Sequence, residues 1–161
     1  MIAIVENSIS ESQAYYCIER FNKNLPIREY HGKILIDANH FLEDDQEYNK
    51  ILSIIHQNAL KFNPNVLIDW SHLNFWPAHS LHNLHHDTKS DKTTFTSITY
   101  LNCGYRGGET FFEDGTIVSP VTGRTVFFDG VKYLHGVMPV LHGSRFTLSV
   151  WYKVKEKEND L

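Results

Sequence analysis

The run His85-His86-Asp87 offers the residue types that hold a divalent transition metal, and its spacing decides which of them can act together. In an extended strand, residues i and i+2 project to the same face. His85 and Asp87 would then share a face, with His86 pointing away. A second imidazole from a later strand would complete a set of two histidines and one carboxylate. Such a set suits non-haem iron(II), which it holds on one side while other positions stay open. It would not close the tetrahedral site that structural zinc prefers. His-x-Asp alone is a short pattern, and the chain has ten histidines, so a solvated or hydrogen-bonded His85 is the plain alternative. His79, His82, His85 and His86 also form a cluster in which the 82–85 and 82–86 spacings would face together on a helix, the alternative being a zinc site. Pro77 and the strand-like surroundings argue against that helix.

Three further features bear on the metal set. His135, in Tyr133-Leu134-His135-Gly136-Val137, follows the strand-like Thr125-Val126-Phe127-Phe128 and a turn at Asp129-Gly130. It is preferred as the second imidazole over His142, which sits beside Gly143 in an apparent turn, where a histidine is usually solvated. Arg145 stands ten positions beyond His135 and opens the apolar run Arg145-Phe146-Thr147-Leu148-Ser149-Val150-Trp151-Tyr152. A guanidinium at the start of a buried strand needs an anion, and its planar fork matches a carboxylate in two hydrogen bonds. That anion is either a ligand or one of the protein's own acids. Tyr100, in Thr99-Tyr100-Leu101-Asn102, can offer its hydroxyl to the same carboxylate or serve as a core aromatic.

The elements that must position these residues fall into two regions. Ile2–Val5 reads as a short strand. Ser8 or Ser10 then caps a helix carrying Ala14, Cys17, Ile18 and Phe21 at helical spacing, which ends at Asn24-Leu25-Pro26. Residues 33–36 read as a strand and 43–62 as a second helix, acidic at its start and apolar along Ile51, Ile54, Ile55 and Leu60. From Val66 onward, short runs rich in Phe, Thr, Ile, Val and Tyr alternate with turn residues. The clearest strands are 93–101, 109–112, 124–128 and 145–154. Many short strands after two helices predict a β-sandwich or barrel with helices packed on one side. The organisation expected is a single domain: 1–65 helical support, 66–154 β core, 155–161 a polar tail.

Composition narrows the function. The chain has 161 residues, and its net charge of −4 gives no general pull toward phosphate backbones, which disfavours nucleic acid as a partner. The two cysteines, Cys17 and Cys103, form no Cys-x-x-Cys pair. No apolar run reaches the length of a membrane span, and the N-terminus lacks the basic flank and apolar stretch of a signal peptide. A soluble cytoplasmic protein is expected.

The run from Trp76 to Tyr152 resembles the catalytic domain of prolyl 4-hydroxylases and related iron(II)/2-oxoglutarate oxygenases. The matching pieces are His85-His86-Asp87, Ile98-Thr99-Tyr100-Leu101-Asn102, Gly107-Gly108-Glu109-Thr110-Phe111-Phe112, and Ser119-Pro120 through Gly123-Arg124-Thr125-Val126-Phe127-Phe128. His135 with Pro139-Val140 and Gly143, then Arg145 with Val150-Trp151-Tyr152, complete the series. The resemblance implies an α+β, mainly β fold: a double-stranded β-helix, or cupin-like jelly roll, with N-terminal helices packed on one sheet. It implies Fe(II) held by His85, Asp87 and His135, with 2-oxoglutarate and O2 as co-substrates and ascorbate as a candidate reductant. Arg145 becomes the partner of the distal carboxylate of 2-oxoglutarate, Tyr100 a second contact to it, and Ser149 and Trp151 pocket-lining positions. The implied reaction couples oxidative decarboxylation of 2-oxoglutarate to hydroxylation of a C–H bond. The expected target is a prolyl residue of a peptide or protein, with a free amino acid or other small molecule as the alternative. A non-catalytic cupin-like binding domain is the competing class, against which the complete set His85, Asp87, His135 and Arg145 speaks.

Two departures matter. Where the family often has Tyr-Pro-Gly upstream of the histidine, this chain has Phe75-Trp76-Pro77-Ala78, which implies a different substrate side. The second arginine usual in nucleic-acid demethylases is replaced by Val150-Trp151-Tyr152, which counts against a base demethylase.

Overall fold

Period-two alternation along β13 (Arg145–Val154) separates the two faces of the central sheet. Leu148, Val150 and Tyr152 pack among buried apolar residues from the two helices. Arg145, Ser149 and Trp151, on the opposite face, line a cavity. The computed structural model of the chain describes residues 1–24, 29–31, 33–39, 45–87 and 93–155.

β13 lies between β4 (Val66–Trp76) and β6 (Thr93–Tyr100) in a seven-stranded sheet. β10 (Thr125–Phe128) and β1 (Ile2–Val5) extend it on one side, β3 (Ile34–Asn39) and β2 (Glu29–His31) on the other. A second sheet has the order β5 (His82–His85), β11 (His135–Val137), β8 (Thr110–Phe112) and β9 (Ile117–Val118). A ribbon of β7 (Arg106–Gly107) with β12 (Val140–His142) closes one end. Every pairing among the described residues is antiparallel. Ile98, Tyr100, Phe112, Val118, Val126 and Phe128 make a core between the sheets. The architecture is the double-stranded β-helix expected, with both helices on the outer face of the larger sheet.

The helices form where the capping chemistry places them. Ser10 caps α1 (Glu11–Lys23): its hydroxyl accepts from Gln13 N–H at 3.1 Å, while Gln13 Oε1 accepts from Ser10 N–H at 2.9 Å. α2 spans Gln46–Leu60, and Asp45 caps it by accepting from Tyr48 N–H at 2.9 Å. The helix therefore starts later than the expected residue 43; residues 43 and 44 lie outside the described ones, as do Leu25, Pro26 and the tail beyond 155. Tyr48, Ile51, Leu52, Ile55 and Ala59 form the buried face of α2, against Val66, Ile68 and Leu73 of β4. Burial of each large aliphatic among them contributes about 1.5–3 kcal/mol. Asp45 also accepts from Tyr16 Oη at 2.7 Å and Arg20 Nη1 at 2.5 Å, which ties α1 to the start of α2. Burial pushes this carboxyl up, but the Tyr48 amide, the Tyr16 hydroxyl and the Arg20 guanidinium outweigh it and hold the group below its ordinary value.

The first 65 residues do more than support the core with helices. They supply β1, β2 and β3 to the larger sheet, and β3 brings Ile34 and Ile36 to the cavity wall. No described helix is long and apolar enough to cross a membrane.

Candidate active site

His85, Asp87 and His135 converge from two adjacent strands. β11 pairs with β5 so that His135 stands opposite His85. Asp87 lies just beyond the last residue of β5, yet the two-residue period carries through and its carboxylate joins His85. The three ligand atoms lie within 4.8 Å of one another. Asp87 Oδ1 is 3.2 Å from His135 Nε2 and 3.7 Å from His85 Nε2. His86 is exposed at the rim of the same cavity. His82 belongs to strand β5, so the helical zinc grouping does not form; its ring centroid is 3.9 Å from that of His85.

Backbone carbonyls set the tautomer of both imidazoles. His85 Nδ1 is 2.8 Å from Asn83 O, and His135 Nδ1 is 2.9 Å from Tyr133 O. A carbonyl only accepts, so each Nδ1 carries a proton and each Nε2 is the atom turned toward Asp87. This is the arrangement in which a neutral imidazole ligates a metal. Burial lowers the His85 pKa, and the neighbouring His135 lowers it further, outweighing the Asn83 carbonyl; neutral, ligating imidazole is thereby favoured. At Asp87, burial pushes the carboxyl up, but the neighbouring His135, the Thr96 hydroxyl and His85 hold it below its ordinary value. A carboxylate beside two imidazole Nε2 atoms, with open space in front, fits iron(II).

The cavity before them is about 300 Å³ in volume. Its wall includes Trp76, Ile98, Val137, Ser149, Trp151 and Arg145. Arg145 is 1% exposed. Its Nε donates to Gly108 O at 2.9 Å and its Nη2 to Thr110 Oγ1 at 3.3 Å. The guanidinium carbon lies 4.8 Å from the Trp76 ring centroid and 5.5 Å from that of Tyr100. Among the described residues no acidic side chain pairs with it. Gly108 makes room for it: φ is +70°, and a Cβ there would sit 2.9 Å from Tyr105 Cε2 and 3.2 Å from Arg145 Cδ.

Ser149 and Trp151 stand on the cavity wall. Ser149 Oγ accepts from Asn74 Nδ2 at 3.0 Å, and Trp151 meets His72 edge-on at 4.6 Å between ring centroids. Tyr100, the second carboxylate contact expected, has its ring centroid 5.5 Å from the Arg145 guanidinium carbon. It is fully buried between the sheets, and its hydroxyl is 2.5 Å from Thr110 Oγ1 and 3.3 Å from Val118 O. Thr110 thus bridges Tyr100 and Arg145, a role that the Gly-Gly-Glu-Thr sequence alone does not reveal. His72, Asn74 and Trp76 were also missed. They alternate with Leu73 and Phe75 along β4, and that alternation is a readable signal of an inner face.

Residues 71–153 match the family model of the 2OG-Fe(II) oxygenase superfamily. Among solved structures, a prolyl-4-hydroxylase from Pseudomonas putida superposes with a TM-score of 0.81 at 18% identity, covering 96% of this chain and 93% of that one. The collagen prolyl hydroxylase of Paramecium Bursaria Chlorella virus-1, solved with 2OG, gives 0.74 at 18% identity, with 96% of each chain covered. A Trichoplax adhaerens prolyl hydroxylase, in complex with a hypoxia inducible factor oxygen degradation domain peptide fragment, gives 0.77 at 16% identity, covering 95% and 83%. At these identities the likeness carries the fold. No curated protein sequence matches.

Proposed function

The chain belongs to the 2OG-Fe(II) oxygenase superfamily, and we propose that it is a dioxygenase that hydroxylates a prolyl residue in a peptide or protein. Membership implies Fe(II), 2-oxoglutarate and O2. Bound iron would couple the four-electron reduction of O2 to two two-electron oxidations, that of 2-oxoglutarate to succinate and carbon dioxide and that of a C–H bond to C–OH, one oxygen atom going to each product.

His85, Asp87 and His135 would hold the metal through Nε2, Oδ1 and Nε2, the atoms that already face one another. The observation that carries the reading is Arg145: a buried guanidinium, without an acidic partner among the described residues, on the wall of the cavity that holds the triad. A buried cation is costly unless paired, and a dicarboxylate bound with one end at the triad would bring its other carboxylate as that partner. Gly108 O and Thr110 Oγ1 fix the plane of the fork, which favours two parallel bonds to a carboxylate. Tyr100 would hold Thr110 and, where it accepts from that hydroxyl, keeps its own hydrogen to donate to the same carboxylate. Trp76, Ile98 and Val137 give the cavity apolar walls that exclude water from the reacting bond. Ser149 and Trp151 would border the substrate.

The solved Trichoplax adhaerens relative with a peptide bound supports a peptide as the substrate here. The test is incubation of iron-loaded protein with 2-oxoglutarate and a proline-rich peptide library, read by mass spectrometry. The expected product is a peptide heavier by one oxygen atom, with the hydroxyl on proline. Oxidation of free amino acids or other small molecules instead, with every peptide unchanged, would replace the peptide reading. Loaded protein that turns over no 2-oxoglutarate would favour a binding domain.

A further inference from the structure

Asp87 has two carboxylate oxygens, and the structure treats them differently. Oδ1 faces His135 and His85. Oδ2 accepts a hydrogen bond from Thr96 Oγ1 at 2.6 Å, a short bond of the charge-assisted kind. The backbone of Asp87 is fixed as well, since its N–H donates to Gly130 O at 2.8 Å. Gly130 then leaves the space that Oδ2 occupies. A Cβ at that position would lie 2.1 Å from Oδ2 and 2.5 Å from Thr96 Oγ1, too close for either atom to stay. Its backbone is not in the left-handed region, so the need for glycine here is one of room rather than of turn geometry.

Both partners come from the stiff centre of the fold. Thr96 is 2% exposed on β6, opposite Phe128 of β10 on one side and Trp151 of β13 on the other. Gly130 follows β10 by two residues. The hydroxyl of Thr96 has one hydrogen, and giving it to Oδ2 commits that oxygen to the protein. We propose that Thr96 and Gly130 are positioning residues that make Asp87 present a single oxygen, Oδ1, to the metal. This rests on the reading of His85, Asp87 and His135 as the iron site. An unrestrained carboxylate could turn and offer both oxygens, occupying a position that the co-substrate needs. The clamp keeps that position free and orients the ligand, as partners of metal-binding side chains do.

The test is titration of Co(II) into the metal-free full chain, followed by calorimetry and by the visible absorption of the bound metal, and then addition of 2-oxoglutarate to the loaded protein. Thr96→Val keeps the side-chain shape and removes the hydroxyl. It is expected to weaken Co(II) binding about 10–100-fold and to weaken 2-oxoglutarate binding at saturating metal, while the metal-free protein unfolds within a few degrees of wild type. Thr96→Ser restores the hydroxyl and is expected to return both affinities to within a few-fold of wild type. Gly130→Ala is expected to lower metal affinity as Thr96→Val does. Should Thr96→Val not fold, Thr96→Ala removes the same hydrogen bond without pressing a methyl against the carboxylate. Folded hydroxyl-less variants that bind Co(II) and 2-oxoglutarate like wild type would overturn the clamp while leaving the iron site intact. Wild-type protein with no Co(II) binding that Asp87→Ala removes would overturn the iron-site reading, and the clamp with it.

Discussion

Arg145→Met separates a ligand-binding arginine from a structural one, because the two roles predict opposite results in two measurements. Methionine keeps much of the stem volume and removes the charge. In the proposed role the guanidinium is paired only when 2-oxoglutarate is bound, since its protein partners are a carbonyl and a hydroxyl. Loss of a two-pronged, desolvated bond to a carboxylate costs about 2–4 kcal/mol, which raises the 2-oxoglutarate requirement about 30- to 900-fold. Stability should change little. Removing an unpaired buried charge is favourable, and this offsets the donors lost by Gly108 O and Thr110 Oγ1 at about 1–3 kcal/mol each. A net change within about 2 kcal/mol corresponds to a melting shift below about 8 °C for a chain of this size. The assays are the 2-oxoglutarate dependence of succinate formation and thermal unfolding of the metal-free protein. A structural ion pair would instead lose about 3–5 kcal/mol on truncation and leave co-substrate dependence unchanged. That pair of results would refute the reasoning.

Other positions give independent outcomes. Asp45→Asn keeps a good helix cap but removes the charge facing Arg20, and should cost about 1.5–3 kcal/mol at neutral pH by denaturant unfolding. Because the folded Asp45 carboxyl titrates below its ordinary value, that advantage of wild type is present above the ordinary carboxylate range. It disappears as pH falls through the lower folded value; a difference that persists in strong acid would mean that charge is not its source. Gly136→Ala would bring a Cβ to 2.6 Å from His82 O and 2.8 Å from Phe111 Cε1, between the strands that present His85 and His135. It should cost about 1–3 kcal/mol and weaken Co(II) binding; unchanged unfolding and metal affinity would show that the strands absorb the methyl.

How much of this was legible in the sequence depends on whether the signal was local. β13, β6, β8 and β10 lie within a residue of their expected bounds because each carries apolar and β-branched residues between clear turn residues. The His85–Asp87 pairing needed only the two-residue period. Arg145 was readable because a charge opening an apolar strand demands a partner. Thr96, Thr110 and Gly130 were not readable: nothing local distinguishes them, and their roles arise only where separate strands meet at Asp87 or Arg145. Gly130 looked like an ordinary turn glycine, whereas its missing side chain makes room for the Asp87 carboxylate. β2 gave no readable pattern in its three residues, and pairing with β3 defines it.

The most direct test of the iron and 2-oxoglutarate chemistry is succinate release from 2-oxoglutarate in air, by iron-loaded wild type and by Asp87→Ala. Wild type should form succinate, lose the activity when a chelator strips the metal, and regain it with Fe(II). Asp87→Ala should remain at background. Full activity in Asp87→Ala, or no succinate from loaded wild type, would contradict the account.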